Sequence, residues 1–466
     1  MSIYGQDMRS ALKTLKENKR ILSVQGEVDP YFELAAVLAQ KPGRSAVLFE
    51  NVKGYSIPVI GDLVDRKNFA LSCGIENSIE ASLHLINKGI ENPIASKVVD
   101  QSPCREVVIT DDIDIMKHIP VTTFFEKEAG YYISAGLIVA KDPETKKRNV
   151  SMNRLLVLGP DKLMIGMSPS HHLHRLLEKA TERNEKLEVS ISLGNHPATL
   201  VAANAYVDLG FDEFEIAGGM FGEALELSPG ITVDVEVPSG SEIVIEAEFI
   251  PGELYEEGLV SEFHGMYVDY GKSPILKVKG ITHRKDPIYQ VILPGRFYEH
   301  FIIGAMAIET TTYRHIKAAV PRVKEVFITE GGMGRSHCVV SLTGPRAGEG
   351  QKAVFAAFAH CNLIKQVTVV NDDINIDDAV DVEWAVAARM KAHRDIFIIP
   401  GVRTDRADAV VENGTVSKIG IIALREDTAL PKAEIPKDVM EKVKMEWAKY
   451  KVQEEADCLP ITVKPI

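Results

Sequence analysis

The chain has 466 residues, 45% of them apolar and 26% charged, enough for roughly two or three globular domains with a sizeable core. Its 53 Lys and Arg against 66 Asp and Glu leave a formal charge of −13, which disfavours nonspecific nucleic-acid binding and docking to an anionic membrane. The 5 cysteines (Cys73, Cys104, Cys338, Cys361 and Cys458) form no CxxC pair and read as reduced thiols of a cytoplasmic protein. Residues 1–19 are too polar for a signal peptide, and the longest apolar runs, such as 301–308, are too short to span a bilayer.

In chain order, Met8, Leu12 and Leu15 predict a helix over residues 7–19. Asp29-Pro30 predicts a second helix running to Gln40, with proline at the first helical position. A strand follows at 45–49. Ser78 then caps an amphipathic helix carrying Ile79, Leu83, Leu85 and Ile86. This alternation makes residues 1–105 a small N-terminal α/β domain, with Gln101-Ser102-Pro103 as linker.

Across 106–296, β signals dominate. Strands are expected at 106–110, 131–141, 149–158, 163–167, 187–193, 231–237, 242–250 and 275–280. Period-two alternation in 231–237 and 242–250 predicts a sheet wet on one side. Helices are expected only at 170–182 and 196–207, so the region reads as a barrel or sandwich. After Leu293-Pro294-Gly295, a long helix over 297–320 opens a third region, 297–466. There, strands at 326–329, 337–342, 367–371 and 395–399 alternate with helices at 351–360 and 377–390. A last helix over 436–451 lines up Val439, Met440, Val443, Trp447 and Tyr450, a face suited to another subunit or to its own domain.

Several constellations can carry chemistry. Glu257 and Glu262 lie five residues apart, with Gly258 between them and Gly265 after, which predicts a bent loop. Such a loop can bring two carboxylates to one cavity with different pKa values; taken alone, the stretch reads as a solvated acidic turn. Arg154 is a fixed cation in an apolar β run and needs a carboxylate if buried. On one strand, Asn149 and Arg154 fall on opposite faces unless a bulge intervenes. Pro169-Ser170-His171-His172-Leu173-His174 sits at a helix start, a poor zinc pattern but a possible anion site. Asp212-Glu213-Phe214-Glu215 precedes what reads as a small-residue turn, with oxygen donors suited to Mg²⁺ or Mn²⁺. Gly331-Gly332-Met333-Gly334-Arg335 could cradle phosphate but lacks the P-loop lysine pattern and the dinucleotide fingerprint, and Asn371-Asp372-Asp373-Ile374-Asn375 resembles a cation loop without the EF-hand register; both read better as turns.

Asn149-x4-Arg154, His172, Glu213 and Glu257-Gly258-x3-Glu262, in this order, resemble the UbiD family of prenylated-FMN-dependent decarboxylases. Glu213-Phe214-Glu215-Ile216-Ala217-Gly218, Glu242-Ile243-Val244-Ile245-Glu246, Leu293-Pro294-Gly295, Val369-Val370-Asn371-Asp372-Asp373-Ile374 and Trp384-Ala385-Val386-Ala387-Ala388-Arg389 add to the likeness. The resemblance implies an α/β (α+β) fold: an N-terminal α/β domain, a central split β-barrel that binds flavin, and a C-terminal α/β oligomerisation domain with a terminal helix. It implies Asn149, His172 and Glu213 as ligands of Mn²⁺ (or Mg²⁺) at the cofactor phosphate, with K⁺ beside it. Val150, Ser151, Met152, Asn153, Arg154, His171 and His172 would line the prenylated FMN. Arg154, Glu257 and Glu262 would be catalytic. The implied reaction is reversible non-oxidative decarboxylation of an aromatic, heteroaromatic or α,β-unsaturated acid through a covalent adduct with the prenylated flavin, with Glu262 as proton donor. Expected partners are that small acid, CO₂, a flavin prenyltransferase that supplies the cofactor, and further copies of the chain as a dimer or hexamer.

This chain has Leu259-Val260-Ser261 where the family often has Pro-Phe-Gly, and Asn371 where an aspartate is usual. Lys352 and Lys365 are the candidates for the flavin phosphate, and Arg296, Phe297 and His300 for substrate contacts. The alternatives are an FMN oxidoreductase on the same kind of barrel, a two-carboxylate hydrolase, and a non-catalytic subunit of a larger carboxylase.

Overall fold

A computed structural model describes residues 5–426, 430, 433 and 435–450. The first helix, Met8–Glu17, begins as expected: Asp7 accepts the Ser10 N–H, and Met8, Ala11 and Leu15 are buried. The second differs. It runs Glu33–Gln40, because Asp29-Pro30-Tyr31 is held in a turn by the Asp29 carboxylate on the Tyr31 N–H, and Phe32 has φ 62°. Ser78 caps Ile79–Glu91 by accepting the Ala81 N–H at 3.1 Å. The N-terminal sheet orders Ile21–Val24, Ala46–Phe49, Val59–Gly61 and Tyr289–Val291, so a strand from far downstream completes it, parallel to Val59–Gly61.

The central element is a 9-stranded sheet. Its path runs Tyr132–Ile133, Leu155–Gly159, Lys162–Ile165, Lys272–His283, Ile243–Glu256, Glu188–Leu193, Leu137–Lys141, Arg148–Met152, with Val107–Ile109 added to Lys272–His283. Arg148–Met152 and Leu155–Gly159 are consecutive in the chain yet sit at the last and second places of this path. Two residues, Asn153 and Arg154, join them, and a chain advances only about 3.3–3.6 Å per residue. The sheet therefore curls until its two ends almost meet, without closing as a barrel. The split lies where Arg154 stands.

Four expectations fail in this region. Residues 231–237 do not form a strand; only Val237–Pro238 pairs. The buried Glu246 carboxylate takes the N–H groups of Ile231 and Thr232 and the Thr232 hydroxyl, bending the segment over the sheet. Alternation still decides burial, with Val233, Val235 and Val237 inside. Because that segment covers it, Glu246 on the expected wet face of Ile243–Glu256 is buried, and Glu242 just before the strand is buried against Arg9 and Arg284. The turn expected after Glu213 is a helix, Glu213–Phe221, capped by Asp212. Gly218 and Gly219 are there for contact; a Cβ at Gly219 would fall 2.6 Å from the Asn92 carbonyl oxygen. The expected helix over 196–207 shortens to Pro197–Ala202.

The long helix, Tyr298–Ala319, is largely buried and leads into a 5-stranded sheet ordered Val323–Ile328, His337–Leu342, Gln366–Asn371, Thr415–Ala423, Ile396–Arg403. Thr415–Ala423 was not expected and lies between two strands that were. The last helix is Lys437–Met445, followed by a short helical turn, Trp447–Tyr450. None of the helix's residues is buried; Val439, Met440, Trp447 and Tyr450 are exposed. Lys451 and Cys458 lie outside the described residues. No helix among the described residues is long and apolar enough to cross a membrane.

Candidate active site

Arg154 leaves the sheet at the split. Asn153 ends the strand there: its Nδ2 donates to the Gly166 carbonyl at 3.0 Å and its Oδ1 accepts the Ser151 hydroxyl at 2.8 Å. The guanidinium lies over Gly166, where a Cβ would stand 2.6 Å from Arg154 Cζ. Arg154 Nε and Nη2 donate to the two oxygens of Glu257 at 2.7 and 2.6 Å, a bidentate pair. Nη1 stands 3.7 Å from Glu262 Oε1, an ion-pair contact too long for a hydrogen bond. Burial works against the Arg154 charge, but the hydrogen bonds and charge of Glu257, then the charge of Glu262, outweigh it and hold its pKa above the ordinary value. The structure thus brings Arg154, Glu257 and Glu262 together.

Two tyrosines complete this cluster. Tyr132 donates its hydroxyl to Glu257 Oε1 at 3.2 Å, and the Arg154 guanidinium sits 5.3 Å from the Tyr270 ring centre. Burial, then neighbouring carboxylates, pushes both phenols up in pKa, so both stay protonated donors.

The carboxylate-bearing segment is less loop-like than expected. The strand Ile243–Glu256 reaches the residue before Glu257; the chain then turns at Gly258, φ 74°, and pairs again, Leu259–Ser261 against Tyr267–Asp269. Val260 is buried, and Glu128 Oε1 accepts the Ser261 N–H at 3.0 Å. Leu259-Val260-Ser261 is therefore a paired strand that presents Glu262. Glu128 is a third carboxyl on this wall. Its Oε2 is buried without a hydrogen-bond partner, and burial pushes its pKa up to about 7.

These groups line a cavity of about 290 Å³. Glu128, Tyr132, Met152, Asn153, Arg154, His171, Glu262 and Tyr270 come from the central sheet and its loops, whereas His300, Ile303, Arg335, Leu363, Asp405 and Arg406 come from the long helix and beyond. Arg406 lies 4.4 Å from the Tyr270 ring centre and donates to the Met167 carbonyl. Of the expected substrate contacts, His300 lines the cavity. Arg296 instead packs against Gly265, and Phe297 stacks on Phe125. Lys365 is paired with Asp408, Lys352 is exposed, and neither lines the cavity. The glycine turn before Arg335 links Val323–Ile328 to His337–Leu342, and Asn371 ends a strand, as read from the sequence.

Behind the strand Arg148–Met152 lies a second polar cluster. Glu213 is buried; its oxygens accept Asn149 Nδ2 at 3.1 Å and the Val150 N–H at 2.7 Å. Glu213 has no ion-pair partner among the described residues, and burial pushes its pKa up to about 8. Asn149 Oδ1 is buried without a hydrogen-bond partner. A buried carboxyl and an orphaned amide oxygen on adjacent elements form an oxygen-donor set that suits a hard divalent cation. His171 caps the helix His172–Glu182, lines the cavity and accepts the Ser168 N–H. His172 heads that helix without a hydrogen bond to Asn149 or Glu213, and burial lowers its pKa, favouring the neutral, ligating form. No cluster of three or more His, Cys, Asp or Glu converges as a metal centre among the described residues.

Glu128, Tyr132, Tyr270 and Arg406 were not singled out as site residues from the sequence, though Tyr132 lay in a noted strand; Arg335 was noted only with its glycine run, which read better as a turn than as a phosphate cradle.

The chain matches three family descriptions of 3-octaprenyl-4-hydroxybenzoate carboxy-lyase: the N-terminal domain over residues 12–81, the Rift-related domain over 97–297 and the C-terminal domain over 301–423. It is 35% identical over 418 residues to an anhydromevalonate phosphate decarboxylase of Methanothermobacter thermautotrophicus, covering 89% of this chain and 96% of the relative. Among solved structures, it resembles the UbiD-class enzyme HmfF from Pelotomaculum thermopropionicum in complex with FMN, with TM-score 0.91, 38% identity and coverage of 95% and 100%. An evolved dimeric form of HmfF in complex with prFMN matches with TM-score 0.88 at 37% identity, covering 96% of this chain and 100% of that one. The 3,4-dihydroxybenzoic acid decarboxylase of Klebsiella pneumoniae matches with TM-score 0.84 at 26% identity, covering 94% and 99%. Matched along nearly its whole length, with Arg154 and Glu262 on the wall of its cavity and Glu257 buried behind Arg154, the chain belongs to the UbiD family of carboxy-lyases.

Proposed function

We propose that this chain catalyses reversible non-oxidative decarboxylation of an aromatic, heteroaromatic or α,β-unsaturated carboxylic acid with prenylated FMN as cofactor. The observation that carries this reading is the Arg154 guanidinium, held along one edge by both oxygens of Glu257, with its third nitrogen facing Glu262. Support for the cofactor comes from the FMN and prFMN in the HmfF complexes. An aromatic acid and an unsaturated aliphatic one are the kinds of substrate that the named relatives' activities point to.

Bound prenylated FMN supplies an electron sink for the carbon that loses CO₂. The chain's residues do the rest. Glu257 takes the Nε–Nη2 edge of Arg154, so the Nη1 edge, with the second N–H of Nη2, is left for the substrate carboxylate. This places the departing CO₂ beside Glu262. Glu262 Oε2 accepts the Phe263 N–H at 3.3 Å, so Oε1, the oxygen facing Arg154, is the one free to pass a proton to the reacting carbon. Once the carboxylate has left as CO₂, Glu262 delivers that proton to the same carbon, and R–COO⁻ plus H⁺ becomes R–H plus CO₂. Apolar walls at Val260, Ile292, Ile303 and Leu363 keep bulk water from the reacting carbon.

In the same reading, Asn149, Glu213 and His172 would hold Mn²⁺ (or Mg²⁺), which would supply positive charge for the cofactor phosphate, and K⁺ would be a further cofactor. Residues 106–296 form the flavin domain between an N-terminal domain, 1–105, and an oligomer-forming domain, 297–466. The test is to purify the chain after coexpression with a flavin prenyltransferase, record the absorption spectrum, and measure CO₂ release from a panel of aromatic and unsaturated acids. Loaded flavin with CO₂ release from a panel member supports the reading; loaded flavin with none, and no deuterium exchange into products in D₂O, contradicts it.

A further inference from the structure

Arg335 stands out on the cavity wall built by the long helix. It is delivered there by the tight turn Gly332-Met333-Gly334, with φ 60° at Met333 and 65° at Gly334. Its Nη1 donates to the Phe301 carbonyl at 3.0 Å and the Gly334 carbonyl at 2.8 Å. Nη2 and Nε make no hydrogen bond to any described residue, and no carboxylate among the described residues lies within ion-pair distance of Arg335. Gly304 on the long helix leaves room for the guanidinium; a side chain at that position would run into it. Burial lowers the Arg335 pKa, with only the more distant charges of Tyr206, Cys361 and Glu262 acting against it. A buried guanidinium without a carboxylate is costly to keep charged. Arg154 on the other wall shows the contrast, because Glu257 neutralises it completely.

The other charged groups at this end do not fill the gap. Asp405 turns its carboxylate back on its own loop and accepts the Ala407 N–H. His300 shares Nδ1 with the Gly295 carbonyl at 3.2 Å, so the proton is on Nδ1 and Nε2 is left without one. Glu262 feels both cations, Arg154 at 3.7 Å and Arg335 from farther off. A substrate whose reacting carbon meets Glu262 thus has one arginine for the carboxylate that leaves, and a second whose Nη2 and Nε no described residue takes up.

We propose that Arg335 binds a second anionic group on the substrate, a carboxylate or a phosphate, so that the enzyme selects dianions. This rests on the decarboxylase reading for what the first carboxylate does, but the binding claim stands on the unpaired cation itself. The second anion accepts from Nη2 and Nε, the fork geometry in which a guanidinium takes a carboxylate or phosphate most tightly.

The test uses the full-length, flavin-loaded protein and calorimetric titration with benzoate, its 1,3- and 1,4-dicarboxylates, and 3-carboxyphenyl phosphate. We expect at least one dianion to bind roughly 10- to 100-fold more tightly than benzoate. Arg335→Gln should remove that margin while leaving benzoate binding unchanged, and Arg335→Lys should keep part of it. Whether a dicarboxylate or the phosphate gains more identifies the second group. Equal binding of benzoate and every dianion to the wild-type protein overturns the inference, and this comparison needs no variant. So does an Arg335→Gln protein that keeps the margin, or one that loses FMN instead, which would place Arg335 with the cofactor. CO₂ release without dianion selection sinks this inference and spares the decarboxylase reading; dianion selection without CO₂ release from any acid does the reverse.

Discussion

Arg154 gives its Nε–Nη2 edge to the two oxygens of Glu257, while Nη1 faces Glu262 3.7 Å away. The two glutamates are therefore not equivalent. Glu257 is buried and spent on the arginine, whereas Glu262 is open to the cavity.

Glu257→Ala leaves a largely buried guanidinium without its carboxylate. Breaking such a pair costs about 3–5 kcal/mol. Urea unfolding of the variant should show a loss of that order, and Glu257→Gln, which keeps one acceptor, a smaller one.

Gly166→Ala tests the placing of Arg154 without removing it. The new methyl would lie 2.6 Å from Arg154 Cζ, so the guanidinium must shift. A displacement near 1 Å at a reacting centre lowers turnover by up to about 100-fold. Steady-state assays should show kcat down about 10- to 100-fold, with flavin still bound.

Glu128 titrates at about 7 because burial favours its neutral form. Between the ordinary carboxylate range and pH 7, the folded state then binds this proton more tightly than the unfolded chain does, so stability falls as pH rises through that window. Glu128→Gln should flatten that segment of the stability–pH curve, read from urea midpoints at pH 5 to 8. Its anchor on the Ser261 N–H also predicts that the variant's activity profile loses a limb near pH 7.

Glu213→Gln replaces a buried, unpaired carboxyl with a neutral group of similar shape. The protein should fold as well as the wild type by thermal melting. It should bind Mn²⁺ at least about tenfold more weakly, in line with the loss seen when a metal site's supporting groups are altered, and FMN titration should show weaker retention of the flavin.

What the sequence revealed, and what it hid, follows from how local each signal is. Asp7, Ser78 and the period of Met8, Leu12 and Leu15 act within one or two turns, and those helices formed as expected. Arg154, Glu257 and Glu262 were legible because their order and spacing resemble a family motif. Glu128 was not: in Glu126-Lys127-Glu128 it reads as a solvated charge, and only Ser261, 133 residues away, gives it its place. Gly218-Gly219 reads as a turn until Asn92 and Gly89 are seen packed against it. The strand expected at 231–237 was lost to a single buried carboxylate, Glu246. Arg335 shows its open valence only once the long helix lies beside its turn.

The central claim is that Glu262 carries the proton that replaces CO₂. The direct test is turnover by Glu262→Gln purified with prenylated flavin bound, beside wild-type enzyme with the same absorption spectrum. The account predicts that the variant holds flavin and substrate yet forms no decarboxylated product and incorporates no deuterium from D₂O. Wild-type turnover in that variant would contradict it.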